Sequence, residues 1–222
     1  MFKTIPENCS FPLNFHYKQG ILYNCIWKEG KKYMTKFHFA GHYNGDPKTL
    51  KSHEHEPNYV PFKEIQDMTK LAIFMNGLSL LIAVITMGLY FYLARQPMNM
   101  LGTLATLICL IPHEFLHGIC FEGDVYMYEN LKKGMLFVTG PGTFSKGGFI
   151  FMSMLPNLVF GFLPFIIFLF DHTQTFLGTL GALSIAAGAG DYYNVFNALF
   201  QMPKGSRTYL HESHSFWYMP EQ

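Results

Sequence analysis

Residues 71 to 94 read LAIFMNGLSLLIAVITMGLYFYLA, 24 positions without one charged side chain. At 1.5 Å per residue, a helix of this length crosses the ~30 Å hydrocarbon core of a bilayer. Three further runs continue the pattern: MNMLGTLATLICLIPHEFLHGICF (98–121), GFIFMSMLPNLVFGFLPFIIFLF (148–170) and FLGTLGALSIAAGAGDYYNVFNALF (176–200). The short links RQP and DHTQT join them in pairs. The pattern predicts an all-α integral membrane protein, with four transmembrane helices making a membrane domain over residues 71–200. Around it lie an N-terminal segment (1–70), a polar insertion between spans 2 and 3 (122–147) and a polar tail (201–222).

Composition agrees. Half of the residues are hydrophobic and 14% are charged, against roughly 25% charged in a typical soluble domain. The net charge of +1 gives no electrostatic case for a nucleic-acid partner. The expected partner of such apolar runs is the lipid bilayer. Cys9, Cys25, Cys109 and Cys120 form no CxxC pair and read as reduced thiols. The opening MFKTIPENCSFPLNF lacks the apolar stretch of a signal peptide, so the first segment is expected to stay where it is made.

The polar segments carry their own signals. The alternation on both sides of EGKK (29–32) predicts a β-hairpin in the N-terminal segment. KSHEHEPNYVP (51–61) reads as an irregular linker. GDVYMYENLKKGMLFVTG (123–140) reads as strand, turn and strand, or as an amphipathic connector. An exposed edge there would accept an extended peptide as an added strand. The runs HEHE (53–56) and HESH (211–214) read as solvated polar stretches rather than metal sites.

Orientation follows from the basic residues near the span ends. With four spans, Lys63, Lys70, Lys132, Lys133, Lys146, Lys204 and Arg207 share one side, and Arg95 stands alone on the other. The positive-inside rule then places both termini in the cytoplasm of a multi-pass cell-membrane protein.

Setting cysteines and tyrosines aside, the four runs contain just four ionisable residues: His113, Glu114, His117 and Asp191. A charge at the centre of a membrane helix costs roughly 2.5–3.5 kcal/mol on insertion scales. Four such groups, and no more, point to one shared site. Histidines at i and i+4 lie on one helix face, so both imidazoles reach a single ion at ~2.0–2.1 Å. Glu114 points about 100° away, beside the metal's open position, where it can take a proton from water. This is the HExxH arrangement of zinc peptidases.

A catalytic zinc takes a third protein ligand. Asp191 is the remaining acid in the apolar runs, and one carboxylate beside two neutral imidazoles suits a divalent ion in a low dielectric. Ser184, Ala187 and Gly188 share its face and are small, which lets the fourth span approach the second closely. Asn157, just after Pro156 in the third span, either donates to a developing oxyanion or bonds a neighbouring helix.

HEFLHGIC, FSKGGFIFMSMLPNL (144–158) and GAGDYYNVFNALFQMPKGS (188–206) together resemble the putative zincin peptidase family of small HExxH membrane proteins. They are also similar to site-2-protease-type intramembrane metalloproteases, although those carry NPDG or LDG where this chain has AGDYYN. The resemblance covers roughly residues 70 to 222. It implies zinc held by His113, His117 and Asp191, with Glu114 as general base in a membrane-embedded peptidase acting on a membrane-protein or peptide substrate on the cytoplasmic side. The competing reading is a zinc-binding membrane scaffold or regulator without chemistry, which leaves the glutamate unexplained. A di-iron hydroxylase needs further histidine pairs that the spans lack, and metal transport needs ionisable groups along a path.

Overall fold

A computed structural model describes residues 14–18, 21–28, 31–133 and 135–221. The chain opens with an antiparallel meander of β1 (Asn14–Lys18), β2 (Ile21–Lys28) and β3 (Lys31–His42). The pairing of Lys28 with Lys31 places a hairpin where the EGKK alternation predicts one. After the short strand β4 (Val60–Pro61), Asp67 caps the first long helix by accepting from the Thr69 and Lys70 amides, both at 2.9 Å. Helix α1 (Met68–Ala94) runs to Arg95, whose left-handed conformation ends it.

Asn99 then caps α2 (Met100–Ile108), and α3 (Leu110–Gly118) follows across Cys109. The polar insertion forms β5 (Gly123–Asn130), β6 (Met135–Thr139) and β7 (Phe144–Ser145). Next come α4 (Lys146–Pro156), a wide π-helical segment (Asn157–Phe162) and α5 (Leu163–Phe170). The chain ends through α6 (Thr175–Ala187), α7 (Ala189–Gln201), β8 (Arg207–His211) and β9 (His214–Tyr218).

The all-α reading is therefore corrected. The polar segments pair with one another in two sheets, ordered β1-β2-β3-β5-β6 and β4-β9-β8-β7. Strand β3 runs parallel to β5, with the three intervening helices as the crossover. The cause is backbone hydrogen bonding: segments held side by side at the helix ends satisfy their N–H and C=O groups on each other. These pairings bring the N-terminal segment, the insertion and the tail to the same end of the helices.

Linker 51–61 is irregular apart from β4; in the two histidine runs Glu54 and His55 are exposed and the other residues half-buried, with contacts between the runs. The His55 ring lies 3.9 Å from that of His211, and His211 Nδ1 donates to the His53 carbonyl at 2.6 Å.

The helices Met68–Ala94, Met100–Gly118 and Lys146–Phe170 are long and apolar enough to cross a membrane. The fourth run departs from the sequence reading. It divides at Gly188, and its first part, Thr175–Ala187, is shorter. This α6 is the hub of the bundle, packing against α1, α2, α5 and the π-helical segment. Its small residues allow that; a Cβ on Gly181 would come within 2.6 Å of the Phe165 amide nitrogen. The expected close approach of the fourth run to the second is present, at Gly102 against Phe176 and Thr179 rather than at Ser184. Tyr90, Phe165, Phe168, Ala182 and Ile185 fill the core between α1, α5 and α6. Nearer the sheets, Lys146 Nζ donates to the Leu199 and Met202 carbonyls, each at 2.8 Å, and so fastens the start of α4 to the end of α7.

Candidate metal centre

Three side chains from two distant helices converge. His113 and His117 come from successive turns of α3, and Asp191 from the first turn of α7. Their metal-capable atoms all lie within 4.8 Å of one another, and they are the one such group of three found among the described residues. His117 Nε2 lies 3.1 Å from His113 Nε2 and 3.2 Å from Asp191 Oδ1, while His113 Nε2 lies 3.3 Å from Asp191 Oδ2. A tetrahedral ion bound at ~2.0–2.1 Å sets its ligands about 3.3–3.4 Å apart. The separations and the donor set of two imidazoles and a carboxylate therefore fit zinc.

The tautomer of His117 is fixed. Its Nδ1 faces the Met152 carbonyl at 2.9 Å, and a carbonyl only accepts, so Nδ1 carries the proton and Nε2 presents its lone pair. Met152 O is free for this because Pro156, four residues on, has no N–H to offer it. The proline inside the third run thus exposes the acceptor that orients a histidine of the second.

Asp191 is oriented in the same way. Asn157 Nδ2 donates to Asp191 Oδ2 at 2.6 Å, and the Tyr192 hydroxyl, which donates to the Ile185 carbonyl at 2.9 Å, lies 3.3 Å from Asn157 Oδ1. Of the two roles open to Asn157 from sequence, the structure shows the bond to a neighbouring helix, and the bonded group is the carboxylate of the site. Gly188 is required here, since a Cβ at that position would overlap the Asn157 side-chain oxygen. The small-residue run before Asp191 seats the asparagine that holds it.

Glu114, His117 and Asp191 line one cavity of about 360 Å³. Val138 of β6 lines the same cavity, so the strand stands beside the glutamate. Across the cavity, Glu64 Oε1 accepts from the Ser215 amide at 2.9 Å and faces His214 Nδ1 at 3.3 Å. Burial raises the Glu64 carboxyl above its ordinary value, and the Ser215 and His214 contacts partly offset that rise. Sequence reading missed Glu64 and Met152, of which only Met152 had a signal, the proline four residues later; the strand, turn and strand read over 123–140 are present as β5 and β6. The histidines of 53–56 and 211–214 belong to no metal-capable group of three among the described residues.

An HExxH helix with a carboxylate from a later helix, set among helices of membrane-spanning length, defines a zincin-type site in a membrane-type helical protein. A family model described as "Putative zincin peptidase" matches residues 106–207. The matched stretch carries all four residues of the site. No curated protein and no solved structure gave a significant match to the chain.

Proposed function

We propose that the protein is a zinc-dependent, membrane-embedded peptidase that hydrolyses peptide bonds in or near the membrane on the cytoplasmic side. The observation that carries this reading is the tetrahedral spacing of His113, His117 and Asp191, with Glu114 in the same cavity. Zinc, when bound, supplies a Lewis acid for the scissile carbonyl and a seat for the attacking water. His117 and Asp191, locked by Met152 and Asn157, hold their donor atoms in place without rearrangement. Glu114 takes the proton of the attacking water and passes it to the leaving amine. Strand β6, at the end of its sheet and forming a wall of the cavity, offers an extended peptide a backbone to lie along.

Location rests on the sheets and the charges. Strand pairing joins the N-terminal segment to the insertion and the insertion to the tail. Both halves of the helical block therefore leave that end and return to it, which supports four crossings with α6 and α7 together as the last. The same end carries the excess of lysine and arginine, which supports a cytoplasmic assignment.

Glu114→Gln tests the reading, because it keeps the side chain's shape and removes the base. In detergent-solubilised, zinc-loaded protein assayed on membrane-derived peptides, the variant should keep its zinc and lose hydrolysis. Cleavage at the wild-type rate would overturn the mechanism. Zinc at full occupancy with no turnover by wild type would favour a metal-holding scaffold instead.

A further inference from the structure

Buried polar atoms in folded proteins are almost always paired, because leaving one unpaired is costly. Among the described residues, three buried side-chain polar atoms have no hydrogen-bond partner: Thr139 Oγ1, Ser153 Oγ and Asn197 Nδ2. Two of these three, Thr139 and Ser153, line the cavity that holds Glu114, His117 and Asp191. They come from different elements, Thr139 from the end of β6 and Ser153 from α4. Each residue is 1% exposed.

The ordinary fate of a helical hydroxyl is a bond to the carbonyl four residues earlier. This chain follows that habit elsewhere, since Thr86, Thr103 and Thr106 all bond their i−4 carbonyls. In the strands, Thr35 bonds Phe121 O and Thr208 bonds Phe216 O. Ser153 and Thr139 break the habit in one place. Ser153 also sits between two residues that orient the site: it follows Met152, the acceptor for His117, and precedes Asn157 by one helical turn. With no bond to break, both hydroxyls can turn towards whatever enters the cavity.

We infer that Ser153 and Thr139 are substrate-binding residues whose hydroxyls hydrogen-bond the backbone of a peptide lying between α4 and β6 beside Glu114. The ligand class is an extended peptide, whose carbonyls and amides supply what the two hydroxyls lack. This deepens the peptidase reading and rests on it.

The test compares zinc-loaded wild type with Ser153→Ala and with the near-isosteric Thr139→Val. Two probes separate the contributions: acetohydroxamate, which binds zinc and has no peptide backbone, and a tripeptide hydroxamate, which has one. Each variant should bind the tripeptide hydroxamate at least tenfold more weakly, bind acetohydroxamate as wild type does, and keep its zinc content and Tm. Equal affinity of wild type and both variants for the tripeptide probe would overturn the inference while leaving the peptidase reading standing. A drop in Tm or zinc content would show the hydroxyls to be structural and also overturn it. Failure of wild type to bind acetohydroxamate would overturn the peptidase reading, and the inference with it.

Discussion

His117 Nδ1 donates to the Met152 carbonyl at 2.9 Å, and Pro156 is the reason that carbonyl is available. A proline costs a helix interior about 3 kcal/mol relative to alanine, and here the wide turn of 157–162 follows it. Pro156→Ala restores an N–H that competes with His117 for Met152 O. The variant should have a higher Tm in its metal-free form and a lower zinc affinity. The loss should reach about tenfold, the lower end for disturbing the partner of a ligand histidine. Chelator competition and thermal melts of the metal-free protein check the two halves. Unchanged zinc affinity would mean that the Met152 contact does not orient the ligand.

Asn157 is a positioning residue, acting through Asp191. Asn157→Ala should weaken zinc binding about tenfold or more, with activity restored by excess zinc. A donor to the reacting carbonyl would behave differently, with kcat falling at full zinc occupancy.

Gly188→Ala pushes a methyl group into the Asn157 side chain. Overpacking of this kind destabilises by about 1–3 kcal/mol, so Tm and zinc affinity should both fall. Since the clash is with one side chain, Asn157→Ala in the same protein should relieve most of the loss in Tm. Additive losses in the double-mutant cycle would show that Gly188 matters for another reason.

How much of this was legible in the chain differs by feature. His113, Glu114, His117 and Asp191 stood out because ionisable groups in apolar runs are costly, and cost is a property of composition and place. The hairpins around EGKK and over 123–140 are legible in local alternation, but the long-range pairing that assembles the sheets is not. Strand β3 finds β5 across more than 80 residues, and β4 finds β9 across more than 150. No local alternation encodes such a partner. The break at Gly188 was hidden for a different reason: GAG reads equally as a packing stripe and as a division between helices, and the Asn157 side chain seated against Gly188 comes from another element. Pro156 was visible from the start; what it releases depends on a histidine 39 positions earlier.

Topology provides an independent check on the helical block. Single cysteines in an otherwise cysteine-free background, placed near the N-terminal and C-terminal ends, should be protected from an impermeant reagent in intact cells. A cysteine in the link 171–174 should be labelled. The bonds from Asn99 to Thr175 and Thr179 hold links 95–99 and 171–174 at one end of the bundle, so a cysteine at 96 should label as well. Termini on opposite faces would rule out an even number of crossings.

Asp191 is the proposed ligand for which sequence spacing offers no guide, and its contacts argue against replacement by asparagine. Its Oδ1 lies 3.2 Å from His117 Nε2, while its Oδ2 lies 3.3 Å from His113 Nε2 and accepts from Asn157 at 2.6 Å. Both oxygens are in use. In Asp191→Asn, one of these positions becomes an NH₂ group, which either opposes the Asn157 amide or points a donor at the metal position. The site also loses the negative charge that balances a divalent ion in a low dielectric. Zinc affinity should fall at least tenfold, with a matching loss of activity at limiting zinc. Asn197→Ala, on the same helix and outside the cavity, should leave zinc binding unchanged. Full zinc occupancy of Asp191→Asn under a competing chelator would place the third ligand elsewhere in the chain.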